Sequence, residues 1–470
     1  MEQKKRKLAV NEAIVMLACA VLAGIACYSH LMYVQTAGTR VPIMDFWRWI
    51  SMYGRDFHQG TASLKSLLTD VNEHSQALVM YIQMSILNAN DFNVWSLIWP
   101  STYIRAILSI LFAVLILLSA YKKKNLSTYH YFGAALTVFL LLNPSQWELT
   151  IEPFSISTVI RLPIYISFFV WMGYSFVHIF EWSYAKQLIF ISVASVIAVF
   201  VSIFLSGGYC AAFLGAISVA GVAMLVRNKK KIKPRHVLIG GIWGMAVVFS
   251  VIMYMMNSAL SLAGYGQSIT QKLINILLGT LAMIGVGIIP QEYANSHGIV
   301  PCYVAGALVM LFAAILIWFF FKRKCDKKSL WPFMMFVYSV INALIICYSR
   351  TEAYGVIVSI SSRYVVETMI GYVGLIWMLI EVLNTMERTW YRHLIALTVF
   401  AVMFYCSFWS IEVENTIAPY RQIYFQGVET LMRNIETATP ESFAVTQSSE
   451  EYVRDAVSFF RENGLSIFGQ

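Results

Sequence analysis

The sequence predicts an all-α, polytopic membrane protein of about 11 transmembrane helices, and three observations predict it. Apolar runs long enough for the ~20 residues that cross a bilayer recur along the 470-residue chain. Short lysine- and arginine-rich clusters punctuate these runs, whereas acidic and histidine residues gather between alternate runs. With 59% hydrophobic and 13% charged residues and a mean hydropathy of +0.65, the chain is more apolar than a soluble domain of this length requires.

Lys4, Lys5, Arg6 and Lys7 precede an apolar stretch from about Ala9 to Val34. Cytoplasmic loops accumulate Lys and Arg, so the N-terminus is expected in the cytoplasm. This first run is too long, and lacks the small-residue cleavage site, for a removable signal peptide. Further clusters stand at Lys122–Lys124, Arg227–Arg235, Lys322–Lys328 and Arg388 with Arg392. Holding all of them inside gives spans near 9–33, 102–120, 129–146, 160–181, 188–206, 209–226, 237–256, 302–321, 331–348, 364–381 and 394–411. The C-terminus is then extracytoplasmic, together with segments 34–101, 147–159, 257–300 and 349–363. Region 271–289 is read as re-entrant or interfacial, because a full crossing there would move the Lys322 cluster outside.

Residues 1–411 thus form the membrane domain. Its first outer loop, 34–101, carries Trp47, Trp49, Trp95 and Trp99, rings suited to headgroup level, and a short apolar helix near Gln76–Leu87 expected to lie on the bilayer. Residues 412–470 read as a short outer tail richer in acids than in arginines. There Ser449, Glu450 and Glu451 start a helix, Val453, Val457 and Phe460 recur at helical spacing, and Gly464 stops it.

Composition and motifs also exclude functions. The net charge of +9 is explained by short inter-helix loops facing anionic lipid, and no basic face with interleaved aromatics points to nucleic acid. The seven cysteines, Cys19, Cys27, Cys210, Cys302, Cys325, Cys347 and Cys406, lack paired metal-ligand spacing. No Gly-rich phosphate loop, Gly-x-Ser-x-Gly elbow or HExxH helix occurs, which argues against ATP-driven pumping and against serine or zinc hydrolysis.

The candidate chemistry lies where ionisable residues converge on the expected outer side: Asp45, Arg48, Glu73, His74, Glu148, Glu152, Arg161, Glu292, His297, Arg350, Glu352 and Arg363. Charges near a bilayer are costly unless paired or solvated in a cavity. Asp45, in Ile43-Met44-Asp45-Phe46-Trp47-Arg48-Trp49, is the preferred general base for an acceptor hydroxyl; the alternative is a solvated carboxylate or one paired with Arg48. Asn72, Glu73 and His74 either contact a sugar or a phosphate, or cap the helix that follows. Gln146-Trp147-Glu148 and Arg161 frame a pocket, and Arg161 or Arg363 suits bidentate phosphate binding, the alternative being arginines that snorkel to headgroups.

A first span, an acidic Asp45 in a large outer loop with helical pieces, and a many-span body together resemble the GT-C superfamily of polyprenol-linked membrane glycosyltransferases. More narrowly, Asn72-Glu73-His74, Gln146-Trp147-Glu148, Ser362-Arg363-Tyr364 and Leu465-Ser466-Ile467-Phe468 look like a family of uncharacterised bacterial multi-pass proteins, a likeness that spans nearly the whole chain. Two departures stand out: Asp45 is followed by Phe46 where many GT-C members carry a second acid, so Glu73 is the expected second catalytic carboxylate. Ser75 stands where the narrower family suggests arginine. The resemblance implies a multi-pass protein of the bacterial cell membrane that takes a sugar from a polyprenyl-phosphate donor. The acceptor would be an extracytoplasmic cell-envelope glycan or a teichoic-acid-type polymer. Asn72, His74, Glu148, Arg161, Arg363 and Tyr364 would bind substrate. It demands no cofactor, assigns no metal ligands, and admits a divalent cation. The rival readings are a transporter or flippase of lipid-linked glycans, and a polymerase acting on them.

Overall fold

The computed structural model describes residues 2–68, 76–205, 207–257, 266–387 and 389–469. Helices α1 (Glu2–Ala37), α2 (Asp45–His58), α3 (Leu64–Leu68), α4 (Ala77–Asn88), α5 (Trp95–Lys122) and α6 (Thr128–Leu141) lead to a short α7 (Glu148–Ile151). There follow α8 (Ser155–His178), α9 (Tyr184–Phe204), α10 (Cys210–Arg227), α11 (Pro234–Asn257), α12 (Ile269–Gly285) and α13 (Gln291–His297). The chain closes with α14 (Val300–Lys322), α15 (Trp331–Tyr354), α16 (Ser362–Leu383), α17 (Thr389–Arg433) and α18 (Glu450–Asn463). Among the described residues no strand occurs, and 10 helices are long and apolar enough to cross a membrane. The chain is a multi-pass membrane protein.

The basic loops gather at one end of the bundle. Arg227 Nε lies 2.7 Å from Asp326 Oδ2, Lys328 Nζ 2.8 Å from Glu381 Oε2, Arg323 donates to the Thr385 carbonyl at 2.9 Å, and Ser127 Oγ donates to Asn384 at 3.0 Å. The buried α16 forms the axis of the bundle, flanked by α6, α14 and α15.

One expected crossing is shorter than the sequence suggests, and the region read as re-entrant or interfacial forms a helix. The span expected at 129–146 is helical only over α6, about 21 Å long at 1.5 Å per residue. Asn143-Pro144 ends it, since the residue before proline disfavours α geometry and Asn143 Oδ1 accepts from Ser145 N at 2.9 Å. Residues 142–152, which include a 3-10 turn at Pro144–Gln146 and the one-turn α7, are almost wholly buried in protein. Region 271–289 contains α12, which begins where Lys272 Nζ meets Glu352 Oε2 at 2.8 Å, near the end of α15, and finishes against Cys302 at the start of α14. Both contacts lie at the end opposite the basic loops. Its fit to α14 depends on Gly285 and Gly306, where an added Cβ would stand 1.9 Å from the carbonyl oxygens of Cys302 and Leu281.

The expected boundary at 411 is crossed without a break, because α17 runs for 45 residues, about 67 Å, far more than a hydrocarbon core of about 30 Å. Residues 412–470 are also not a separate tail. Their apolar side chains, including Phe425, Val428, Val453, Val457 and Phe460, share one buried cluster with Trp47, Ile50, Phe57, Met84 and Phe92 of the first loop. Asp455 Oδ2 accepts from Ser51 at 2.6 Å and from Arg55 at 2.9 Å, which ties α18 to α2. The helix expected on the bilayer at 76–87 forms as α4, but Val79, Met80, Met84 and Leu87 are buried against protein; its apolar residues fall on every side, so one buried face would not cover them. The α18 signals act as expected: Ser449 Oγ accepts from Tyr452 N at 3.5 Å and Gly464 adopts φ 62°.

Candidate active site

At the end of the bundle opposite the basic loops, a cavity of about 120 Å³ is lined by Asp45, Glu148, Arg161, Arg350, Arg363 and Tyr364, with Met44, Trp49, Gln76, Phe154, Ser157 and Tyr209 among its walls. Six of the side chains named from sequence, Asp45, Glu148, Arg161, Arg350, Arg363 and Tyr364, therefore share one space although they come from five helices. Asn72, Glu73 and His74 lie outside the described residues, and their expected roles are neither located nor displaced; Gln76, just after them, lines the cavity.

Asp45 is the first residue of α2 and is exposed. An acid here is favoured by the positive end of the helix, and the sequence places it after a residue held in a demanding conformation: Met44 has φ 53° and ψ −134°. Two contacts hold Met44. Its N–H donates to the Thr446 carbonyl at 2.9 Å, and its sulfur accepts from Arg363 Nη2 at 3.7 Å. The tail of the chain thus fixes the residue that aims Asp45. Arg48 takes a different direction, its Nε donating to Met52 Sδ at 3.4 Å and its guanidinium sitting 5.9 Å from the Tyr452 ring centre.

Two motifs distant in sequence bind each other. Arg363 Nε lies 2.7 Å from Glu148 Oε2, Ser361 Oγ donates to Glu148 Oε1 at 3.2 Å, and the Glu148 N–H donates to Ser362 Oγ at 3.3 Å. The Glu148 side chain is 7% exposed and that of Arg363 42%, so the guanidinium keeps a face toward the cavity while the carboxylate anchors it. Arg161 is held differently: it pairs with Glu367, which also accepts from the Tyr338 hydroxyl, and its guanidinium carbon stands 3.8 Å from the Tyr209 ring centre. Glu367 was not among the candidates read from sequence. A carboxylate four residues after Arg363, on the same helix face and inside an apolar run, was the available signal.

Behind the cavity, Glu152 is fully buried, and among the described residues neither of its oxygens has a hydrogen-bond partner. Burial pushes its carboxyl well above the usual carboxylate range; Glu148 adds to the shift, and Arg363 and Arg421 oppose it. A carboxyl that holds its proton more tightly when folded favours the folded state at low pH. That advantage fades by about 1.4 kcal/mol per pH unit as pH rises from about 4.3 toward the raised value. Glu152→Gln should therefore gain thermal stability relative to the parent as pH is raised from about 5 to 8, read as the difference between their melting temperatures in detergent. A constant difference across that range would contradict the assignment.

Other members of the expected convergence have separate partners. Arg421 of α17 donates to Glu414 at 2.6 Å and Glu292 at 3.0 Å and lies 4.0 Å from the Trp147 ring centre; His297 stacks on Tyr293; Glu352 pairs with Lys272. Arg350, given no context by sequence, lines the cavity.

Comparison with family models, curated proteins and solved structures finds no match.

Proposed function

We propose that the protein is a membrane glycosyltransferase that moves a sugar from a polyprenyl-phosphate-linked donor to a hydroxyl of an extracytoplasmic cell-envelope glycan or teichoic-acid-type acceptor. The observation that carries this reading is the meeting, in one cavity at one end of a membrane-spanning bundle, of an exposed carboxylate with three guanidinium groups, those of Arg161, Arg350 and Arg363. Guanidinium groups match phosphate oxygens with paired donors, and their low hydration suits a site beside lipid.

In this reaction the acceptor oxygen forms a bond to the anomeric carbon, the bond from that carbon to the phosphate oxygen breaks, and the electron pair leaves with the polyprenyl phosphate. The acceptor proton passes to Asp45. Arg363 and Arg161 stabilise the charge that develops on the leaving phosphate, and Glu148 holds Arg363 in place. The cytoplasmic N-terminus and extracytoplasmic C-terminus belong to the same proposal: the basic loops lie at the end opposite the cavity, and such loops stay inside.

The transport reading has less support. The Arg161–Glu367 pair sits near the starts of its helices, about 9 Å along α8 and about 7.5 Å along α16, and Arg161 lines the cavity, whereas a transport path calls for charges midway along the spans. The test is transfer by purified protein from a radiolabelled polyprenyl-phosphate-sugar series to envelope glycan. Arg363→Ala should weaken donor binding by about ten- to a hundredfold and leave acceptor binding unchanged. Equal loss of both would remove phosphate recognition from Arg363, and no transfer from any donor would remove the reaction.

A further inference from the structure

Arg105 of α5 is 7% exposed and lies on the other side of α8 from the cavity. Its Nε donates to the Leu141 carbonyl at 2.9 Å, Nη1 to Thr150 Oγ1 at 3.1 Å and the Leu149 carbonyl at 3.5 Å, and Nη2 to Gln146 Oε1. All four acceptors are neutral. Arg161, Arg363 and Arg421 each face a carboxylate, whereas among the described residues none forms an ion pair with Arg105. The negative end of α6 at Leu141 offsets only part of a full charge. A guanidinium carries five N–H donors, and the contacts above use four, which leaves one on Nη2.

Arg105 stands at the head of a groove of about 120 Å³ between α5 and α8. Below it the walls are mostly apolar, with Leu108, Leu111 and Leu115 from α5 and Val159, Leu162 and Ile166 from α8, and with the hydroxyls of Ser109, Thr158 and Ser167 among them. Ten residues separate Arg105 from Leu115, about 15 Å of helix, and the run points from the cavity end toward the basic end. Leu111 and Leu115 are 46% and 54% exposed, so the groove opens sideways to the hydrocarbon. The two sites use different faces of α8, since Ser157 and Arg161 line the cavity and Val159 and Leu162 the groove.

We propose that this groove seats one chain of an anionic phospholipid, from the leaflet on the cavity side, with its phosphate against Arg105. An uncompensated buried cation above a lipid-open apolar channel is complementary to a molecule with one negative phosphate and a hydrocarbon chain. This inference does not depend on the transfer reaction, and its test needs no turnover.

Full-length protein, stripped of lipid in a neutral detergent, is titrated with dioleoylphosphatidylglycerol or with dioleoylglycerol, which has the same chains and no phosphate. Bound lipid is read by native mass spectrometry, and stability by thermal unfolding. Phosphatidylglycerol should bind about tenfold or more tightly than diacylglycerol, as a charge-assisted contact predicts, and should raise the melting temperature. Leu111→Trp, at the exposed rim, should fill the channel and abolish that gain while leaving the lipid-free melting temperature unchanged. Arg105→Gln should erase the preference for phosphate; if this variant does not fold, the rim variant still decides. Equal binding of the two lipids, or full phosphatidylglycerol binding by Leu111→Trp, would overturn the proposal. So would stoichiometric displacement of phosphatidylglycerol by a polyprenyl monophosphate, which would make the groove a donor site.

Discussion

Asp45→Asn is expected to lower the turnover of sugar transfer by about 10²–10⁴, the contribution a positioned general base makes. Donor affinity and melting temperature should stay unchanged. The substitution is close to isosteric and keeps a residue that tolerates the start of α2, so the Met44 contacts to Thr446 and Arg363 remain available. The split between turnover and binding is what separates a proton acceptor from a wall residue. A wall residue would alter the Michaelis constant for donor or acceptor first, whereas a lost base lowers kcat with binding intact. Turnover within tenfold of the parent would take Asp45 out of the chemistry while leaving the cavity as a binding site.

Glu367→Gln should be the most destabilising of the conservative changes at this site. The Arg161 and Glu367 side chains are 3% and 0% exposed, so removing the carboxylate strands a guanidinium inside the bundle at a cost of about 3–5 kcal/mol. It also replaces the acceptor of the Tyr338 hydroxyl with a neutral one. A large drop in melting temperature is the expected result. The informative companion is Arg161→Met combined with Glu367→Leu. Apolar replacement of a whole buried pair is often neutral, so this double variant should recover most of the lost stability. It should not recover donor binding, because Arg161 itself lines the cavity. Recovery of both would show that the pair is only a packing device.

The positions of lysine clusters were enough to locate most helices and to place several of the named ionisable side chains at one end, because loop charge and span length are local properties of the chain. The helix α18 was equally legible from Ser449 and Gly464. What escaped was set by tertiary contact. The shortening of α6 at Leu141 follows from Asn143-Pro144 together with Arg105, a residue from another helix that donates to the Leu141 carbonyl. The continuation of α17 through residue 412 had no stop signal to mark it, and composition alone suggested a boundary that packing against the first loop removes. In the cavity, sequence supplied Asp45, Glu148, Arg161, Arg363 and Tyr364 but not their pairings. That Arg363 binds Glu148 while Arg161 binds Glu367 depends on how α7, α8 and α16 are brought together, which no short motif encodes.

The shared cluster of the first loop and the chain's end has a consequence for biosynthesis. Phe92 rests against Phe459 and Phe460, ring centres 5.4 and 5.5 Å apart, yet more than 360 residues of translation separate them. While the ribosome is still making the intervening helices, Phe92 lacks the Phe459 and Phe460 side of its cluster, and the backbone kink at Met44 lacks the Thr446 carbonyl that secures it. Such late closure is slow and exposes nascent chains to aggregation. The outer unit built by the first loop is therefore complete only once residues 443–460 have been made.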